Sequence, residues 1–168
     1  MQTKLARIAE LARSDRKLRF TSLAHLLDKQ ALWDCHLEMP GDKATGVDGM
    51  TKAKYEEKLE SNLDDLVARL KRKGYRPQPS RRTYIPKDEK SVRPLGIPAH
   101  EDKIVQKGMS KILNAIYEQD FLDCSYGFRP KRGQHMALQA LDKILMKEPV
   151  QYVVDADIRG FFNYVDHT

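Results

Sequence analysis

The sequence predicts an α+β fold, a set of helices carrying one exposed β-hairpin and, near the C-terminal end, one further strand. Three observations predict it. Apolar residues recur at helical spacing over most of the chain. One stretch, residues 81–98, alternates polar and apolar side chains around a charged turn at 88–91. The run 150–158 is rich in Val, Ile and Tyr, which favour strands.

Leu5, Ile8, Ala9 and Ala12 follow the i, i+3, i+4, i+7 spacing of an amphipathic helix. Leu23, Leu26 and Leu27 begin a second after a cap at Thr21 or Ser22. Residues 40–49, with three glycines, a proline and two aspartates, form a loop. Thr51 caps a long helical pattern carried by Tyr55, Leu59, Leu63, Leu66 and Leu70, which stops at Gly74. In the hairpin, Pro86 and Pro94 stand where a central strand would not tolerate them, so the hairpin is exposed. Ile104, Val105, Met109, Ile112, Leu113 and Ile116 predict another helix, ending near the loop 121–130. Ala137, Leu138, Leu141, Ile144 and Leu145 predict the last, ending at Pro149. Beyond the final strand, Gly160, Phe161, Phe162, Tyr164 and Val165 start a further apolar segment, and the chain is expected to be a truncated piece of a longer one.

Composition narrows the function. The 168 residues suffice for a buried core, and no apolar run approaches the roughly 20 residues of a membrane span. Cys35 and Cys124 form no CxxC pair, so the chain reads as a reduced protein of the cytoplasm. The net charge of +6 is unevenly placed: residues 71–93 hold nine bases and two acids. In that block arginines outnumber lysines and are interleaved with Tyr75, Tyr84 and prolines, a composition suited to phosphates and stacked bases. Asp155 and Asp157 would share one face of a strand, roughly 6.5 Å apart, as two carboxylates of a metal site or as partners of a buried base.

Five strings resemble group II intron reverse transcriptases in the order that family has them. They are Gly46-Val47-Asp48-Gly49; Tyr84-Ile85-Pro86-Lys87 leading to Arg93-Pro94-Leu95-Gly96-Ile97-Pro98; Asp102-Lys103-Ile104-Val105-Gln106; Ser125-Tyr126-Gly127-Phe128-Arg129-Pro130; and Val153-Val154-Asp155-Ala156-Asp157-Ile158-Arg159-Gly160-Phe161-Phe162-Asn163-Tyr164-Val165-Asp166-His167. The resemblance implies the fingers and first part of the palm of a right-hand polymerase. It places N-terminal helices and the extra loop motif in 1–50, fingers with the basic hairpin in 51–148, and the start of the palm in 149–168.

The resemblance also implies roles. Asp157 would be the catalytic carboxylate bridging two Mg²⁺ ions about 4 Å apart, Mn²⁺ being a substitute, with the Ile158 carbonyl touching one of them. The amides of Gly160 and Phe161 would face the triphosphate, and Phe162 would gate against a ribose 2′-hydroxyl. Lys87 would hold the triphosphate, and Arg93 the base and phosphates. Arg81 would cover the templating base, and Arg82, Lys71, Arg72 and Lys73 would bind template or RNA. Lys103 stands where the family usually has Arg, and Asn163 where it usually has Asp. The Tyr-x-Asp-Asp string that carries the remaining metal carboxylates does not occur in the sequence, so this chain alone is expected to be inactive.

The implied partners are group II intron RNA, an RNA template with a DNA primer, deoxynucleoside triphosphates and, in some arrangements, a second copy, with no membrane. The implied function is copying RNA into DNA while binding intron RNA to assist splicing and retromobility. The alternative is an RNA-binding maturase module without polymerase activity.

Overall fold

The computed structural model describes residues 2–87, 89 and 91–166. Asp88 and Lys90 of the expected charged turn lie outside the described residues, as do the side chains of Phe162 and Asn163. The chain divides into two compact units, Met1–Phe121 and Leu122–Thr168.

In the first unit, α1 (Gln2–Ser14) and a short 3₁₀ turn (Ala24–Leu26) precede α2 (Lys29–Leu37). The cap of α2 is Asp28, whose carboxylate accepts from the Ala31 N–H at 2.9 Å, and not Thr21 or Ser22. The leucines at 23, 26 and 27 therefore belong to an apolar approach to the helix, and the first residue able to satisfy its free amides is the aspartate after them. Thr51 does cap, accepting from Lys54 N–H, but the expected long helix is broken at Glu57 and Lys58 into α3 (Lys52–Glu56) and α4 (Leu59–Lys71).

Gly74 does not adopt the left-handed conformation at the end of α4. Lys73 does, at φ 57°. Lys73 N–H donates to Leu70 O and Gly74 N–H to Arg69 O, a Schellman closure with Lys73 in the left-handed position.

α5 (His100–Tyr117) is the centre of this unit, packing against α1 and α2, while α4 packs on α2. Leu32, Leu63, Leu66 and Ile104 are wholly buried at the junction, joined by Leu26, Leu59, Cys35, Tyr55 and Ile112. The strands β1 (Arg81–Pro86) and β2 (Val92–Ile97) pair antiparallel, from Arg81 opposite Ile97 to Pro86 opposite Val92.

The second unit begins with the loop 122–132. Arg129 donates to the carbonyls of Leu122 and Ser125, at 2.8 and 3.0 Å, and Arg132 bonds to Asp123 and lies over the Tyr126 ring. α6 (Gln134–Lys147) follows, and none of its residues is buried. The expected strand at 150–158 is absent: these residues form no ladder, and Tyr152 and Val154 are 85% and 89% exposed. A strand is held by a neighbour's carbonyls and amides, and the one described sheet is β1–β2. β-propensity without a partner leaves extended, unpaired chain.

Candidate nucleic-acid interface

The hairpin assigns each of its basic side chains to a face. Lys87 N–H donates to Ser91 O at 2.9 Å, which makes 87 and 91 a hydrogen-bonded pair. Counting back, Ile85–Arg93, Thr83–Leu95 and Arg81–Ile97 are the other hydrogen-bonded pairs, and Pro86–Val92, Tyr84–Pro94 and Arg82–Gly96 the non-bonded ones. Both prolines therefore sit where their missing N–H would have pointed outward, away from the partner strand, and the ladder loses nothing.

Side chains of successive pairs alternate faces. Arg81, Lys87 and Arg93 thus share one face with Thr83, Ile85, Leu95 and Ile97. Arg82 lies on the other, with Tyr84, Pro86, Val92 and Pro94. Arg81 and Arg82, adjacent in the chain, thus stand on opposite faces of the hairpin.

A network at the start of α5 holds the base of the hairpin. Asp102, 2% exposed, accepts from the Tyr75 hydroxyl and from Gln78 N–H at 2.9 Å, fixing the segment that leads into β1. Burial and then Asp102 push the Tyr75 phenol far above its ordinary range, so it remains a donor. Arg69 on α4 meets Glu101 at 2.7 Å and Asp65 at 2.7 Å, and the Glu101 bond holds its guanidinium charged.

The loop motif 46–49 is clamped to the same place. A Cβ on Gly46 would lie 2.5 Å from Ala99 Cα, so only glycine allows the loop backbone to rest there. Lys103 donates to Ala44 O at 2.6 Å, and Lys52 to the carbonyls of Leu37 and Met39. Lys103, the residue in place of the usual Arg, therefore spends its ammonium on the loop backbone. Beneath the loop His36 Nδ1 lies 3.1 Å from His100 Nε2, with the Tyr55 ring against both. Burial, then the neighbouring His36, lowers His100 to about 4, and burial lowers His36 as well, so both are neutral at pH 7.

Sequence reasoning gave no individual role to His36, His100 or Asp102, and it set Tyr75 among the stacking surfaces of the basic block, whereas the Tyr75 hydroxyl is bonded to Asp102. The Asp102-Lys103 string was the available signal for the last, since an acid in the first turn of an apolar helix needs a reason to be buried.

Lys71, Arg72 and Lys73 are exposed at the end of α4, where cations also complement the helix dipole. Asp157, Ile158, Gly160 and Phe161 belong to the second unit and are exposed. Gly160 is left-handed at φ 64° and opens a 3₁₀ turn, Phe161–Tyr164. Asp157 is a hard oxygen donor of the kind Mg²⁺ requires. No three His, Cys, Asp or Glu among the described residues converge as a metal site. No helix of the described residues is long and apolar enough to cross a membrane.

The model of the reverse transcriptase (RNA-dependent DNA polymerase) family matches residues 85–168, half of the chain. The protein YkfC of Escherichia coli is 37% identical over 99% of this chain and 45% of its own length. The group II intron-encoded protein LtrA of Lactococcus lactis is 33% identical over 97% of this chain and 27% of its own. A 91 kDa protein in the cob intron of Schizosaccharomyces pombe is 33% identical over 62% of this chain. The chain thus spans less than half the length of these relatives, and they lend no support to the expected homodimer. With the motif strings in order and a matching family model over the half that contains β2, α5 and Asp157, the chain belongs to the reverse transcriptase family and is similar to its group II intron-encoded members.

Proposed function

We propose that this chain is the N-terminal part of an RNA-directed DNA polymerase encoded by a group II intron, which copies RNA into DNA and binds its intron RNA to assist splicing and retromobility. The observation that carries the reading is the ordered set of five motif strings, in a chain similar to an intron-encoded protein along nearly its whole length. The maturase-only alternative has no observation that favours it.

In this reading the hairpin face with Arg81, Lys87 and Arg93 is the lid of the nucleotide pocket. Lys87 supplies a point charge to the triphosphate, Arg93 a planar fork to base and phosphates, and Arg81 covers the templating base. The Tyr75–Asp102 and Arg69–Glu101 bonds support it, because they fix the root from which the hairpin projects. The left-handed Gly160 turns the backbone ahead of the 3₁₀ turn, and in this reading the amides of 160 and 161 would face the phosphate oxygens, with Phe162 excluding the 2′-hydroxyl. Bound Mg²⁺, or Mn²⁺ in its place, would activate the primer hydroxyl and neutralise the leaving phosphate. Asp157 and the Ile158 carbonyl would hold it together with carboxylates that this sequence does not contain. Residues 1–50, 51–148 and 149–168 would serve as N-terminal extension, fingers and palm start, in the cytoplasm of a bacterium.

Primer extension on an RNA template tests the reading. The longer parent protein should extend with Mg²⁺ and lose extension in Asp157→Ala, whereas the 168-residue chain should give no product above that control. In the parent, Lys87→Ala should raise the KM for nucleotides and Phe162→Ala should admit ribonucleotides. Extension by the parent that does not depend on Asp157 would sink the assignment.

A further inference from the structure

The hairpin face opposite Arg81, Lys87 and Arg93 has no role in the pocket just proposed, yet it is built as a binding surface. Tyr84 and Val92 are 59% and 62% exposed, and Pro94 lies directly across from Tyr84. Side chains of a non-hydrogen-bonded pair approach more closely than those of a bonded one, so ring and pyrrolidine form one flat apolar platform. Arg82 stands on the same face one pair along, opposite Gly96, which adds no side chain to crowd it. Neither strand contains an acid. No described residue hydrogen-bonds or ion-pairs with the side chains of Arg82 or Tyr84.

We infer that this outer face is a second RNA site, which stacks an unpaired base on the Tyr84–Pro94 platform while Arg82 holds the adjoining phosphate. The inference deepens the proposed function: RNA remains the partner, and a second strand segment is bound on the side of the hairpin away from the nucleotide. Charge complementarity selects this occupant, since an acid-free face within the basic block 71–93 suits a polyanion. The prolines argue against a protein adding a strand, because Pro86 and Pro94 each remove an outward N–H from an edge that such a partner would use. A flat ring beside an arginine is also the combination that binds single strands without reading their sequence.

Titration of a fluorescein-labelled oligouridylate with the whole chain, without nucleotide, tests this. Tyr84→Ala should weaken binding by about tenfold or more, the size of one lost base stack, and Tyr84→Phe should keep the parent affinity because the ring remains. Arg82→Ala should make the log–log salt dependence shallower by about 0.7, one phosphate contact on a single strand, and Lys54→Ala on α3 should leave it alone. Both side chains are exposed, and unchanged circular dichroism separates lost binding from lost folding. Parent affinity in Tyr84→Ala overturns the inference. So does equal loss in Tyr84→Ala and Tyr84→Phe, which assigns the contact to the hydroxyl. A dimer in sedimentation that Tyr84→Ala dissolves, with RNA binding intact, overturns it in favour of a protein interface. The polymerase reading stands or falls separately, on nucleotide addition through Lys87 and Arg93.

Discussion

α5 and α6 carry equally clear helical patterns, and the structure treats them in opposite ways. α5 buries Ile104, Val105 and Ile112 against α1 and α2. α6 presents Leu138, Leu141, Ile144 and Leu145 to solvent, each more than two-fifths exposed. An amphipathic stripe specifies that a helix forms and which side is apolar. Whether that side is buried depends on what the rest of the molecule places beside it. The stability of this chain therefore resides in the first unit, and the second is the place where substitutions are cheap.

The largest test of that contrast is Leu63→Ala in α4, which opens a cavity in a site with no exposure and should destabilise by about 3–4 kcal/mol in urea unfolding. Next comes the anchor of the hairpin: Asp102→Ala strands the Tyr75 hydroxyl and the Gln78 amide, and should lose about 2–3 kcal/mol. A loss under 1 kcal/mol would show that the segment before β1 is held by other contacts.

Acid probes the histidine pair. His100 takes up its proton at pH 6.5 when unfolded but only near 4 when folded, so the unfolded chain binds more protons between those values and stability falls as pH drops through that window. Between pH 7 and 5 the loss should be about 2 kcal/mol, with His36 adding in the same direction. The cations Lys52 and Lys103 face His100 and depress it further, against a smaller opposing pull from Asp48. Unfolding midpoints of His100→Gln against the parent at the two pH values measure this, and the variant's pH dependence should be distinctly flatter. The smallest effect belongs to α6, where Leu141→Ala should change stability by less than about 0.5 kcal/mol. A value near that of Leu63 would mean that α6 is covered in solution and would abolish the contrast.

Much of this was legible beforehand, for local reasons. The patterns of α1, α4, α5 and α6 repeat within one or two turns, and alternation with two prolines marked the hairpin. What escaped involved partners distant in sequence. His36 and His100 stand 64 positions apart, and nothing near either residue announces the other. The absent strand at 150–158 failed for a related reason, since its valines report a preference that only a neighbouring strand can realise. In the site, the residue types of the hairpin were legible and their division between faces was not, because Arg81 and Arg82 are neighbours in sequence and opposites in a pleat.

The end of α4 has one more consequence. A lysine in the left-handed region is strained by the contact of its Cβ with the following carbonyl, while the glycine that would bear the conformation freely stands one place later, at Gly74. Lys73→Gly would relieve that contact and raise the melting temperature, and moving a side chain out of the way would require no new interaction at all. The natural chain thus holds a reserve of thermal tolerance that it leaves unused, and the side chain kept in its stead is a positive charge at the rim of the basic block. An improved helix terminus and a retained cation compete for this single position.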